Sequence, residues 1–278
     1  MAAPEPQPKL GIVAGGGALP GLIVDACRAG GRDFFVVGIE GHAEPARLAD
    51  VPHGWIRLGQ GGKGIELMHR AGCKDLVFAG PVRRPGLREL RPDARTARFF
   101  ARLGRAMIGD DSLLSAVVGE MEKEGFRVVG ADSLLNDFLA SPGAYGRHSP
   151  DREAARDIDR GIEVIRAVGA LDIGQAVIVQ QGIVLGVEAA EGTDELIRRC
   201  KTLHRAGSGG VLVKLRKPGQ ERRVDLPAIG VGTVRLAAES GLSGIAVEAG
   251  GALVFDRETM TALADEHGLF VTGVTVPE

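Results

Sequence analysis

The stretch KLGIVAGGGALPG, residues 9–21, sets three consecutive glycines between an apolar run and a proline. A glycine inside a helix or strand costs about 0.5–1 kcal/mol relative to alanine. Three together imply a backbone that turns sharply or comes very close to something. Residues 9–14 read as a short buried strand, and Leu19, Leu22, Ile23 and Ala26 recur at helical spacing. Pro20 suits a first helical turn, where its missing N–H is not needed. In a strand–glycine–helix context, bare amides can point at a phosphate and the helix N-terminus adds partial positive charge. The plain alternative is a tight turn required by packing.

The pattern then repeats. GGRDFFVVGIE contains a second strand, WIRLG (55–59) a third, GGKGIELMHRAG a helix bounded by glycine, and KDLVFAG a further buried strand. This order predicts a mostly parallel sheet with helices on its faces. Residues 94–125 read as two helical pieces broken at IGDD, GFRVVGA as a strand and 132–139 as a short helix. Gly15 and Gly17 match the start of a dinucleotide fingerprint, and Glu40 stands where a ribose-binding acid would sit, but Pro20 occupies the third glycine's place. A nicotinamide-dependent reductase is therefore the alternative reading, beside a non-catalytic nucleotide-binding protein. No Gly-Lys-Ser/Thr follows the glycines, so a P-loop is excluded.

Glycine makes up 42 of 278 residues, about twice the usual share. It has no repeating period, which excludes collagen-like and low-complexity chains. A net charge of −2 offers no bulk field for nucleic acid. The N-terminus does not read as a secretory signal, and no apolar run reaches the roughly 18 residues of a membrane span. Cys27, Cys73 and Cys200 lie far apart, as core fillers of a reducing compartment would. The six histidines have no metal spacing.

The segment ASPGAYGRHSPD, 140–151, reads as a linker. It divides a Rossmann-like domain, 1–145, from a mixed α/β domain, 146–278. The second half offers a helix over 151–171, strands joined by glycine turns, and helices near 193–206, 231–241 and 256–267.

Two of its stretches carry chemistry. QQGIVLGVEAAEGTDELIRR delivers Glu188, Glu191, Asp194 and Glu195 within eight positions, with Thr193 placed as a helix cap. Crowded carboxylates suit Mg²⁺, although Asp194 and Glu195 would favour any helix N-terminus. VLVKLRKPGQERRVDLP reads as a hairpin with a Pro-Gly turn. Lys214, Arg216, Lys217, Arg222 and Arg223 can neutralise phosphate, and Asp225 can hold a metal or orient water. The alternative is a solvated, salt-bridged hairpin. Arg83 and Arg84 follow a strand end, where anions bind in open sheets. Asp110 and Asp111 open a helix, an ordinary place for acids.

At these residues the chain resembles the UDP-2,3-diacylglucosamine pyrophosphatases of lipid A biosynthesis, of the LpxI type. The matching pieces are GIVAGGGALP, AGPVRRP, GDDSLL with EKEGFRVVGA, QQGIVLGVEAAEGTDELIRR, and LVKLRKPGQERRVDLPAIG with GTV following. The resemblance implies Mg²⁺-dependent hydrolysis of UDP-2,3-diacylglucosamine to UMP and 2,3-diacylglucosamine 1-phosphate (lipid X), by water attack at the α-phosphorus. On the matching pieces, the residues expected to act in catalysis are Asp225, Lys214 and Glu188. Those expected at the metal are Asp225, Glu188 and Glu191. Those expected at the substrate are Gly15, Gly16, Gly17, Ala18, Leu19, Gly80, Arg83, Asp111, Gln181, Thr193, Asp194 and Arg223. The implied place is the cytoplasm of a Gram-negative bacterium, on the inner face of the inner membrane. The candidate partners are the lipid-linked UDP-sugar, the membrane surface and a second copy of the chain.

Overall fold

A computed structural model describes residues 7–83, 91–103, 110–219, 221–224 and 226–276, without the side chains of Asp110 and Asp111. The chain divides into two units. Unit 1 comprises residues up to Asn136 together with Glu221–Val224; unit 2 comprises Asp137–Gln220 and the chain from Asp225 on.

Unit 1 runs β1 (Leu10–Ala14), α1 (Leu19–Ala29), β2 (Phe34–Ile39), α2 (Pro45–Leu48), β3 (His53–Ile56), α3 (Gly61–Arg70), β4 (Asp75–Ala79), α4 (Ala94–Leu103), α5 (Asp110–Lys123) and β5 (Arg127–Val128). The five strands are all parallel, in the order β3-β2-β1-β4-β5. LGIVA, FFVVGI and DLVFA are nearly continuous apolar runs, as strands covered on both faces must be. Ile12 pairs with Val36 on one side and Val77 on the other, and all three are fully buried. The Rossmann-like expectation is met. The strand order reverses between β1 and β4, which makes the carboxyl ends of those two strands the switch point of the sheet. The short helix expected over 132–139 is instead two single 3₁₀ turns, at Ala131–Ser133 and Asn136–Phe138.

Unit 2 runs β6 (Gly143–Ala144), α6 (Arg152–Gly169), β7 (Ala176–Gln180), β8 (Ile183–Val187), α7 (Thr193–Cys200), β9 (Val211–Lys214), β10 (Ala228–Ile229), α8 (Val231–Glu239), β11 (Gly244–Glu248), β12 (Leu253–Val254), α9 (Arg257–Glu266) and β13 (Phe270–Val274). The main sheet has the order β6-β13-β11-β9-β7-β8. Strands β9, β11 and β13 are parallel, and β6, β7 and β8 pair antiparallel with their neighbours. The mixed sheet agrees with the sequence. Strands β10 and β12 form a small parallel pair.

Two readings of local structure are corrected. The segment 140–151 is no loose linker. Ala140 donates its N–H to Ala252, Gly143 and Ala144 pair with β13, and the Asp151 side chain caps α6 by accepting from the N–H groups of Glu153 and Ala154 at 2.9 and 2.8 Å. The stretch 211–227 is no β-hairpin either. β9 is a central strand with β7 on one edge and β11 on the other, so no edge remains for a returning strand. The chain leaves the sheet at Lys214, and residues 221–224 join unit 1.

A buried acid fixes the β7–β8 turn. Asp157, 2% exposed on α6, accepts from the N–H groups of Gln181 at 2.9 Å and Gly182 at 2.6 Å. Both residues have positive φ, the conformation of a two-residue hairpin turn. An asparagine there would turn an NH₂ group toward one of these amides, stranding a buried donor at about 1–3 kcal/mol. Asp157→Asn is expected to lower the melting temperature by several degrees in differential scanning calorimetry.

Candidate functional site

The glycine loop lies at the switch point of unit 1, but two of its amides are already used. Gly15 N–H donates to the Ala79 carbonyl at 2.7 Å, and Gly16 N–H to that of Pro81 at 2.9 Å. A Cβ on Gly15 would stand 2.6 Å from the Gly80 oxygen and 2.7 Å from the Pro81 oxygen; a Cβ on Gly80 would run into the Gly16 carbonyl. These glycines let the loops after β1 and β4 touch backbone to backbone. The packing reading thus accounts for Gly15 and Gly80, while a Cβ on Gly16 would meet only ordinary contacts, 3.4 Å from the His42 oxygen and 3.5 Å from the Pro81 oxygen. The N–H groups of Gly17, Ala18 and Leu19 donate to no described residue. Gly17 and Ala18 are exposed, and α1 begins immediately after them. Three amides at a helix N-terminus are what an anion requires. Arg83 follows the β4 loop with an exposed side chain; Arg84 lies outside the described residues. Glu40 follows β2 and is exposed.

The carboxylates of unit 2 have partners of their own. Glu188, 6% exposed, accepts from the Gln175 N–H at 3.0 Å and from the Thr193 hydroxyl at 2.6 Å. Thr193 is therefore the first helical residue of α7 and no cap; Gly192 holds the cap position with φ of 82°. Glu191 takes two bonds from Arg199, at 3.1 and 2.9 Å. Its own N–H, with help from Arg199, holds its carboxyl below the usual carboxylate range against the opposing effect of burial. Glu195 pairs with Arg198 at 2.5 Å, and Asp194 is exposed in the first turn. Among the described residues, no group of three or more His, Cys, Asp or Glu could hold a metal. Asp225, expected in both the catalytic and the metal set, lies outside the described residues, as does the side chain of Asp111.

The sheet groups some candidates and separates others. Ala176 opens β7 between Lys214 of β9 and the backbone of Glu188. Lys214 and Glu188 thus stand level across two strand spacings, about 10 Å. Lys214 is buried, and its Nζ donates to the Ala228 carbonyl at 3.1 Å. Gln181 sits at the far end of β7, five residues or about 17 Å along the strand, where its amide nitrogen donates to Ala206.

Sequence reasoning missed Glu248. It ends β11 beside Lys214, 8% exposed, and takes three hydrogen bonds from Arg216: from its N–H at 2.9 Å, from Nε at 3.0 Å, and from Nη2. The signal that marked Glu188, an acid closing an apolar strand, was present in GIAVEAG as well. Lys217 pairs with Asp172.

Arg223 belongs to unit 1. Its guanidinium meets Glu221 at 2.9 and 2.7 Å and Glu122 at 2.6 Å. These two acids, Glu221 first, raise its pKa, and Arg223 in turn lowers that of Glu221. The three cysteines are buried, and burial raises each thiol pKa.

Family models described as the LpxI N-terminal domain and the LpxI C-terminal domain match residues 9–138 and 141–272. A relative from Caulobacter vibrioides, named UDP-2,3-diacylglucosamine pyrophosphatase LpxI, is 45% identical over 277 residues, covering 97% of this chain and 99% of its own length. The chain belongs to the LpxI family. The identity reaches across both LpxI domains, so it spans the switch-point loops as well as the β9 and β11 ends. Among solved structures, an N5-carboxyaminoimidazole synthase from Aspergillus clavatus in complex with ADP and a ribonucleotide aligns over 72% of this chain and 44% of its own. At 10% identity and a TM-score of 0.26 it is too distant to inform fold or site.

The LpxI loops make opposite demands on two neighbouring glycines. A methyl on Gly15 meets two carbonyl oxygens, whereas one on Gly17 meets only Pro81 Cδ at 3.8 Å. Gly15→Ala is expected to unfold or strongly destabilise unit 1. Gly17→Ala, which pays only for its φ of 75°, is expected to cost about 1–2 kcal/mol and fold. Urea denaturation of the two variants separates them.

Proposed function

We propose that the chain hydrolyses the diphosphate of UDP-2,3-diacylglucosamine, yielding UMP and 2,3-diacylglucosamine 1-phosphate, in lipid A synthesis. The observation that carries this is the 45% identity to a pyrophosphatase of that name over 97% of this chain and 99% of the relative. The enzyme is accordingly a hydrolase acting on a phosphoric anhydride.

In the proposed step, a water oxygen forms a bond to the α-phosphorus as the bond from that phosphorus to the bridging oxygen breaks. The bridging oxygen leaves on the sugar 1-phosphate, and the water proton passes to the Asp225 carboxylate. The amides of Gly17, Ala18 and Leu19, which donate to no described residue, offer donors to an anionic group of the substrate. Lys214, at the carboxyl end of β9, supplies positive charge. Mg²⁺ dependence rests on the family resemblance, since the carboxylates of Glu188 and Glu191 are already engaged. The two acyl chains make peripheral contact with the inner membrane part of the same proposal. No helix among the described residues is long and apolar enough to cross a membrane.

Hydrolysis in ¹⁸O-water decides which phosphorus is attacked. The label is expected in UMP; label in the sugar 1-phosphate would reassign the attack to the other phosphorus. Run with EDTA and again with Mg²⁺ restored, the same assay is expected to show activity lost and regained.

Asp225→Ala removes the group that aligns water and takes its proton, a role worth about 10²–10⁴ in rate. Its kcat is expected to fall about a thousandfold, with substrate affinity retained in equilibrium dialysis. A loss under about tenfold would move Asp225 out of the chemistry.

A further inference from the structure

Strand β9 ends at Lys214, but its hydrogen bonding runs on for two more residues. Leu215 donates its N–H to the Gln175 carbonyl, just before β7, at 3.0 Å. Arg216 turns its N–H to the other side, toward β11. The Glu248 carbonyl that ends β11 is turned to the Gly251 N–H, from which it accepts at 3.1 Å. The Glu248 carboxylate serves Arg216 in its place. Its Oε2 accepts from the Arg216 N–H at 2.9 Å, and its Oε1 accepts from Nε at 3.0 Å and from Nη2. One side chain thus prolongs the pairing of β9 past the end of its parallel neighbour.

The pair is closed in. Glu248 is buried, and a Cβ on Gly251 would stand 2.5 Å from its carboxyl carbon and 2.6 Å from Arg216 Nε. A buried carboxylate is costly unless its charge and lone pairs are met, and three donors from one residue meet them. Arg216 is neutralised by the same contact. Lys214, two residues earlier, lies level with Ala176 of β7 and Val247 of β11. It is buried as well, with its Nζ on the Ala228 carbonyl. A cation that stabilises developing charge has to be in place before the reaction begins. Strand pairing fixes the chain up to Lys214; beyond it, the next two amides are held by Gln175 and by Glu248.

We infer that Glu248 is a positioning residue: by gripping Arg216 it fixes the chain just past Lys214 and so holds the Lys214 ammonium in place for the hydrolysis. The inference rests on the reading of Lys214 given above. It gives the Arg216–Glu248 pair a task in the reaction without contact with the substrate.

The test uses the full-length chain as wild type, Glu248→Gln, Gly251→Ala, Lys214→Met and the Lys214→Met/Glu248→Gln double variant. Glu248→Gln keeps an acceptor for one N–H but loses the charge that holds the guanidinium. Gly251→Ala keeps both charges and displaces them. Steady-state kinetics on UDP-2,3-diacylglucosamine are read together with acetic anhydride labelling of lysines, followed by mass spectrometry. Glu248→Gln is expected to lower kcat about tenfold with KM within about twofold of wild type. Gly251→Ala is expected to lower kcat in the same way. In the Lys214→Met background, Glu248→Gln is expected to cost nothing further, because the two residues act as one unit. Labelling of Lys214 is expected to rise severalfold in Glu248→Gln, while the exposed Lys63 and Lys201 keep their wild-type rates.

A wild-type kcat in Glu248→Gln would overturn the inference. So would an equal loss from Glu248→Gln with and without Lys214. A raised KM with kcat intact would make the pair a substrate contact, and labelling raised at every lysine would make Glu248 merely structural; either overturns it too. Should Glu248→Gln fail to fold, Gly251→Ala has to give both the loss of kcat and the rise in Lys214 labelling. If Lys214→Met turns over at the wild-type rate, the reading of Lys214 falls and the inference with it. If wild type fails to turn over this substrate, the functional reading falls, while labelling of Lys214 still decides whether Glu248 holds it.

Discussion

The structure depends on a close approach between two loops that no side chain could survive. Strand β1 pairs with β2 on one side and β4 on the other, so the loops leaving β1 and β4 emerge together at the carboxyl edge. There the Gly15 and Gly16 amides bond the carbonyls of Ala79 and Pro81, and Gly80 lies where any Cβ would meet the Gly16 carbonyl. This backbone contact defines the floor of the switch point. It leaves the amides of Gly17, Ala18 and Leu19 without an acceptor among the described residues.

Unit 2 obeys a different constraint. Its central strand β9 has both edges filled, and the basic stretch that follows cannot fold back on the sheet. The charges along it are therefore distributed by whatever partner each one meets. Glu248 takes Arg216 at the end of the neighbouring parallel strand, Asp172 takes Lys217, and residues 221–224 find their packing in unit 1. A run of like charge that reads as one cationic patch becomes a series of separate ion pairs.

The carboxylates follow the same logic. Four acids in eight positions look like a cation site because nothing in a linear order shows their counter-charges. In the fold, Glu188 is a buried acceptor for a backbone amide and a hydroxyl, and Glu191 and Glu195 are paired with arginines one or two helical turns away. Burial without a hydrogen bond would be costly for any of these groups, and the chain has supplied the bonds from its own residues.

The sequence by itself determined the fold class of both units, the order of elements in the first, the buried cysteines and the family. Those properties follow from apolar runs, helical spacing and glycine positions, all of which are local. Only the tertiary structure decided that Gly15 and Gly80 serve packing, that Gly143 and Ala144 within 140–151 pair in a sheet, that Gln181 stands about 17 Å along a strand from Lys214, and that residues 221–224 belong to the other unit. Each of these is settled by hydrogen-bond partners or by edges already occupied, and those lie tens to over a hundred residues away in the chain. Glu122 and Arg223 are 101 positions apart and 2.6 Å from one another: charge and geometry meet there through packing that no local pattern of residues encodes.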